Sequence, residues 1–139
     1  MVNDDLLYRK LETLEEYLRR LRNKQHLSWD EYMADIDRQD AIKEQFKVAI
    51  TCCNDIAAHI RKERELPYSG RAADDYTQLK SAGIISEELC ENMIEMTGFR
   101  NALAHDYDEV REPEVFDNLQ DLSRFEAFAA ETAQLLREE

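Results

Sequence analysis

Between Arg38 and Glu65 the chain runs without a glycine or a proline, and Ile42, Phe46, Ala49, Ile50, Cys53, Ile56, Ala57 and Ile60 recur at steps of three and four. That spacing places the apolar residues on one side of a helix of roughly eight turns. A helix so long and so one-sided is stable only when other amphipathic helices cover its stripe. It is therefore expected to be the central core helix of a helical protein. Its end is the basic cluster Arg61-Lys62-Glu63-Arg64, where cations suit the negative end of the helix dipole and could also contribute to a phosphate-binding surface.

The flanking sequence supplies the covering helices. From Asn3 to about Lys24, Leu6, Leu7, Leu11, Leu14, Tyr17, Leu18 and Leu21 form an amphipathic stripe. Ser28 stands three residues before Glu31, the arrangement of a capping box, so a short helix is expected from Trp29 with a break around Asp37 to Asp40. Pro67 and Gly70 mark a loop. A helix from about Ala72 to Ala82 follows, closed by Gly83 as a left-handed cap. Ser86 and the acids after it open a further helix, from Glu87 towards His105. Pro113 begins the last helix, whose apolar face from Val115 to Leu136 reaches the end of the chain. Only three glycines and two prolines punctuate 139 residues, and no strand-like alternation is visible. The expectation is an all-α, up-and-down helical bundle of about five to six helices, with residues 1–139 forming one domain.

A net charge of −13 argues against coating nucleic acid by bulk electrostatics and leaves room for a small basic cleft. The acidic amino terminus has neither the basic region nor the apolar core of a signal peptide. No apolar run approaches the ~20 residues of a bilayer span. A cytoplasmic location and no membrane contact are expected. Cys52, Cys53 and Cys90 lack C-x-x-C spacing and read as reduced core residues. His26, His59 and His105 form no H-x-H or H-x-x-x-H pair, so neither a metal site nor a cofactor is expected.

One cluster concentrates reactive side chains: Arg100, Asn101, His105 and Tyr107, within Gly98 to Val110. A histidine titrating near neutrality can move a proton, and an arginine can hold a phosphate or neutralise a phosphorane. Together they would suffice for metal-independent RNA cleavage, with His105 as base towards a ribose 2′-hydroxyl, Arg100 stabilising charge and Asn101 orienting. The plainer alternative is a histidine complementing the helix dipole, beside surface ion pairs of Arg100 with Asp106, Asp108 or Glu109. Arg100 and His105 lie about 140° apart around a helix. To meet at one target, either the helix ends before His105 and the chain turns, or two copies face each other across a twofold axis. The second solution predicts a homodimer with the cleft on its axis.

Arg100-Asn101-Ala102-Leu103-Ala104-His105-Asp106-Tyr107 resembles the R-x4-H-x-Y signature of the HepT-like toxins, a branch of the HEPN superfamily. The similarity extends through Tyr68-Ser69-Gly70-Arg71, Tyr76 to Leu79, Gly83-Ile84-Ile85-Ser86 and Met96 to Asn101, and from Val115 to Phe128. The resemblance implies a homodimeric all-α bundle and a metal-independent endoribonuclease toxin encoded beside an MNT-type nucleotidyltransferase antitoxin. It implies that Arg100 and His105 form the ribonuclease site in the dimer cleft, with Asn101 as the polar residue after the arginine. It further implies that Tyr107 receives AMP from the partner; such an anion two residues from the histidine would fill the cleft and repel RNA phosphate. The sequence departs from expectation in the acids Asp106, Asp108 and Glu109, which make the cleft rim acidic. RNA binding then calls for a particular RNA or for cations from elsewhere, with Arg71 and Lys80 as candidates. The alternative is a catalytically inactive HEPN dimer that binds a nucleotide or the partner nucleotidyltransferase.

Overall fold

The computed structural model describes residues 4–105 and 112–137, which form seven helices: α1 Asp4–Arg22, α2 Trp29–Met33, α3 Ile36–Glu63, α4 Ala72–Ser81, α5 Glu87–His105, α6 Glu112–Gln120 and α7 Ser123–Arg137. The protein is all-α, as its periodicity requires. No described helix is long and apolar enough to cross a membrane.

The long helix α3 sits at the centre, in contact with α1, α2, α4, α5 and α7. Its stripe is fully used: Ile42, Phe46, Ala49, Ile50, Cys53, Ile56, Ala57 and Ile60 are all buried. Against them pack Leu7, Leu14, Leu18 and Leu21 of α1, Met93 and Met96 of α5, and Phe125 and Phe128 of α7 in one continuous core. Each fully buried Ile or Phe side chain contributes about 1.5–3 kcal/mol, so the stripe on α3 is one large share of a core to which the other helices add theirs. Pairs across the helices give the directions. Lys10 meets Asp55 and Lys24 meets Gln45, so α1 is antiparallel to α3; Asn54 meets Thr97 and Thr51 meets Arg100, so α5 is antiparallel to α3 as well. This is the up-and-down arrangement expected of a bundle with short connections.

Local signals set most boundaries. Ser28 and Glu31 form the reciprocal capping box, Glu31 N donating to Ser28 Oγ at 3.1 Å and Ser28 N to Glu31 Oε1 at 3.0 Å. The break after α2 falls at Ala34 and Asp35, slightly before the expected one, because the Asp35 carboxylate accepts the Arg38 amide at 3.2 Å and starts α3 at Ile36. Gly83, at φ +76°, terminates α4, and Ile84 N donates back to Leu79 O at 2.9 Å, as in a Schellman cap. The clear departure is at the carboxy-terminal end, where one expected helix is two. The Asp121 carboxylate accepts the Ser123 amide at 3.0 Å while the Leu122 carbonyl takes up the amides of Phe125 and Glu126, restarting the helix without glycine or proline.

The cysteines are free and buried. Burial pushes the Cys52 thiol up and the Cys53 thiol well up, so both stay protonated core residues. The basic end of α3 has a structural use as well: Arg61 Nε lies 2.7 Å from Asp75 Oδ1 on α4, and its guanidinium stacks 4.6 Å over the Tyr68 ring, fastening the 64–71 loop.

Candidate functional site

The motif helix α5 is held to α3 by polar contacts as well as apolar ones. Tyr76 OH donates to Asn54 Oδ1 at 2.8 Å, and the Thr97 hydroxyl lies 3.1 Å from the same oxygen and 3.0 Å from the Met93 carbonyl. Asn54 of α3 thereby links α4 and α5 in the interior, where an unpaired polar group would be costly. One turn further along this antiparallel pair, Thr51 faces Arg100. The half-buried Arg100 donates from Nε to Thr51 Oγ1 at 3.3 Å. This contact uses one of the five guanidinium donors; among the described residues the four terminal N–H groups make no other hydrogen bond.

Arg100 opens onto a cavity of about 430 Å³ between α1, α3 and α5, lined by Lys10 and Thr13 from α1, by Lys47, Thr51 and Asp55 among others from α3, and by Ala104 one turn beyond Arg100. Its charged lining is Lys10, Lys47 and Arg100 against Glu44 and Asp55. The balance is one positive charge in a chain of net −13. Lys47 Nζ pairs with Glu44 at 2.9 Å and Lys10 Nζ with Asp55 at 2.9 Å. The hydrogen bond that Lys10 donates to Asp55 raises the Lys10 pKa, which keeps its ammonium charged. A concave site with a fixed guanidinium and two ammonium groups can hold a phosphate and stabilise negative charge that develops on it.

The helix continues through His105, its last residue. The chain therefore does not turn before the histidine, and positions 100 and 105 remain about 140° apart on one helix. Asn101 follows Arg100 on α5 and is exposed. Tyr107 and the acids Asp106, Asp108 and Glu109 lie outside the described residues. Arg71 and Lys80 do not line the Arg100 cavity. Arg71 occupies the exposed N-cap position of α4, with Nε 3.7 Å from Asp74 Oδ2. Lys80, in the last turn of α4, lies near Cys90, about 15 Å along α5 from Arg100. The cations beside Arg100 are Lys10 and Lys47, which the sequence reading did not single out. The four-residue step from Lys47 to Thr51, on the polar flank of the α3 stripe, was a local signal that both share a face. Which residue of α5 that face would meet required the fold. Among the described residues, no three His, Cys, Asp or Glu side chains gather in a group that could hold a metal ion.

Comparisons with known proteins agree with this architecture. Residues 14–132 match the family model described as Ribonuclease HepT-like. The mRNA nuclease HepT of Shewanella oneidensis is 27% identical over 107 residues, spanning 77% of this chain and 80% of the relative. The tRNA nuclease HepT of Aphanizomenon flos-aquae is 25% identical over 107 residues, spanning 77% of this chain and 73% of the relative. Among solved structures, the tri-AMPylated Shewanella oneidensis HEPN toxin in complex with an MNT antitoxin superposes with a TM-score of 0.86 at 25% identity, covering 94% of this chain and 98% of that one. With a match across the core, the motif helix and most of the last helix, this chain belongs to the ribonuclease HepT-like family.

Proposed function

We propose that the protein is the toxin of a toxin–antitoxin pair, a homodimeric endoribonuclease that cuts RNA without a metal ion and is neutralised by AMP transfer to Tyr107. The observation that carries this reading is Arg100, fixed by Thr51 at the mouth of a lysine-lined cavity on the helix that ends in His105. The similarity to HepT nucleases and to an AMPylated HEPN toxin supports it.

In the reaction, His105 takes the proton of a ribose 2′-hydroxyl, and the 2′-oxygen attacks the adjacent phosphorus. Arg100 holds the phosphate and stabilises the phosphorane, while Asn101 orients the histidine or the phosphate. The bond to the 5′-oxygen breaks, leaving a 2′,3′-cyclic phosphate and a 5′-hydroxyl. A twofold axis supplies two imidazoles, so the partner's His105 can give the leaving oxygen its proton. The dimer also resolves the 140° separation, because Arg100 and His105 then need not reach the target from the same helix. An MNT-type nucleotidyltransferase ends the activity by joining the Tyr107 oxygen to the α-phosphorus of ATP with loss of pyrophosphate. The added phosphodiester anion competes with RNA phosphate for the cleft.

The test is RNA cleavage by purified protein in the presence of a chelator. Wild type is expected to cut, and Arg100→Ala and His105→Ala to lose cutting while sedimentation still shows a dimer. Co-expression with the nucleotidyltransferase adds whole AMP masses to wild type and not to Tyr107→Phe. Equal cleavage by wild type and both alanine variants overturns the residue roles. A dimer that binds the nucleotidyltransferase and never cuts RNA favours the inactive HEPN reading.

A further inference from the structure

We propose that single-stranded RNA leaves the Arg100 cavity along the groove between α1 and α3, with its phosphates following Lys47, Lys10 and Lys62. This inference rests on the endoribonuclease reading above and extends the substrate path beyond the motif helix.

The groove consists of two adjoining cavities. The first is the Arg100 cavity; the second, of about 300 Å³, shares Lys10 and Asp55 with it and continues past Ile56 and His59 to Arg61 and Lys62. On α3 its wall is one stripe, Lys47, Thr51, Asp55 and His59 at four-residue steps and Lys62 three residues later. Fifteen residues of helix make that stripe about 22 Å long, enough for several nucleotides of an extended strand and far more than one phosphate needs.

The charge along this path is opposite in sign to that of the molecule. The second cavity is lined by Lys10, Arg61 and Lys62 with Asp55 as its acid, in a chain of net −13. Arg61 is committed to Asp75 and the Tyr68 ring, whereas Lys62 is exposed. Of the apolar residues along it, Leu6 is exposed and offers a surface on which a base face can rest, while Leu7 and Ile56 are buried in the core beneath. A groove of ammonium groups that reads no base edges can follow the backbone of a single strand without sequence preference. An acidic protein segment would meet the same lysines. RNA is favoured because the groove opens directly into the cavity where Arg100 handles a phosphate.

The experiment uses the full-length protein and a fluorescein-labelled single-stranded RNA made uncleavable by 2′-O-methyl groups, with anisotropy followed across a salt series. Lys62→Gln is expected to weaken binding about three- to ten-fold and to reduce the slope of log K against log salt by about 0.7, the share of one phosphate contact on a single strand. Lys47→Gln behaves alike, and Arg19→Gln, the same charge change elsewhere on α1, binds as wild type. In cleavage assays Lys62→Gln raises KM and leaves kcat unchanged, the mark of binding lost equally from ground and transition states. If wild type and Arg19→Gln bind and cut while both groove variants match them in affinity and salt slope, the path is wrong and the nuclease reading stands. If wild type neither binds the probe nor cuts RNA, both fall. If Lys62→Gln changes sedimentation or nucleotidyltransferase capture and leaves RNA affinity intact, the groove is a protein interface.

Discussion

Thr51 Oγ1 on α3 accepts the Nε proton of Arg100 on α5 at 3.3 Å, so the orientation of the guanidinium is set by the neighbouring helix as well as by its own. In the proposed reaction Thr51 is a positioning residue, acting on the reacting phosphate through Arg100. Thr51→Val keeps the shape and removes the acceptor. A hydrogen bond to a charged group contributes about 1.5–3 kcal/mol, and at this length the lower end applies. Cleavage by Thr51→Val should fall roughly ten-fold in kcat/KM, with the loss mainly in kcat if Arg100 acts on the transition state. Thr51→Ser should restore most of it, a rescue that a packing role for the methyl group would not give. Unchanged kcat in Thr51→Val, with Arg100→Ala still inactive, would show that Arg100 needs no support from α3.

The Asn54 side chain predicts a separate effect, on stability. Its Oδ1 serves both the buried Tyr76 hydroxyl at 2.8 Å and the Thr97 hydroxyl at 3.1 Å. Asn54→Leu leaves the Tyr76 donor without that partner inside the α3–α4–α5 packing, at a cost of about 2 kcal/mol. For a domain of this size the melting temperature should fall by roughly 8 °C. Adding Tyr76→Phe removes the orphaned donor, so the double variant should melt higher than Asn54→Leu alone. A double variant lower by the sum of the two single losses would mean that the residues do not share one interaction. Circular dichroism melts decide between these outcomes.

These two contacts also show what sequence can and cannot convey about the site. The stripe from Ile42 to Ile60 is repetitive, and repetition is legible in one dimension because each apolar residue reports on the same helix face. Gly83 and the Ser28–Glu31 box were legible for a related reason, since each cap is closed by residues only a few positions away. The break at Asp121 was not, because an aspartate accepting the Ser123 amide looks like any exposed acid in a helical run. Thr51 and Asn54 carry still less local signal. A polar residue on the flank of an amphipathic helix reads as solvent-facing, and only the antiparallel placement of α5 turns it into the partner of Arg100 or Thr97. For the same reason Lys10, 90 residues before Arg100, could not be chosen over Arg71 or Lys80 on charge alone. The R-x4-H-x-Y spacing identified the catalytic candidates, while the cations around them are a property of how the helices pack.

Glu112, five residues after Tyr107 in the sequence, fastens the start of α6. As the first residue of α6, it accepts a hydrogen bond from the Tyr32 hydroxyl and pairs with the Lys43 ammonium, fastening the start of α6 to α2 and α3. Burial, reinforced by this carboxylate, pushes the Tyr32 pKa up, so its hydroxyl remains a donor across the working pH range. Glu112 is thus a fixed point at the start of α6, five residues after Tyr107. Glu112→Gln keeps an acceptor for Tyr32 and loses the charge opposite Lys43; Glu112→Ala loses both. The melting temperature should fall in the order wild type, glutamine, alanine, with the alanine variant destabilised by about 2 kcal/mol. Releasing that anchor should also slow the proposed AMP transfer to Tyr107, because the hydroxyl must be presented to ATP in one geometry. The measurement is the rate of AMP-mass gain with the nucleotidyltransferase, taken well below the melting temperature of each variant. A slower rate in Glu112→Ala, with Glu112→Gln in between, supports the anchor. Equal rates in all three would mean that the 106–111 segment is positioned by the partner enzyme and owes nothing to Glu112.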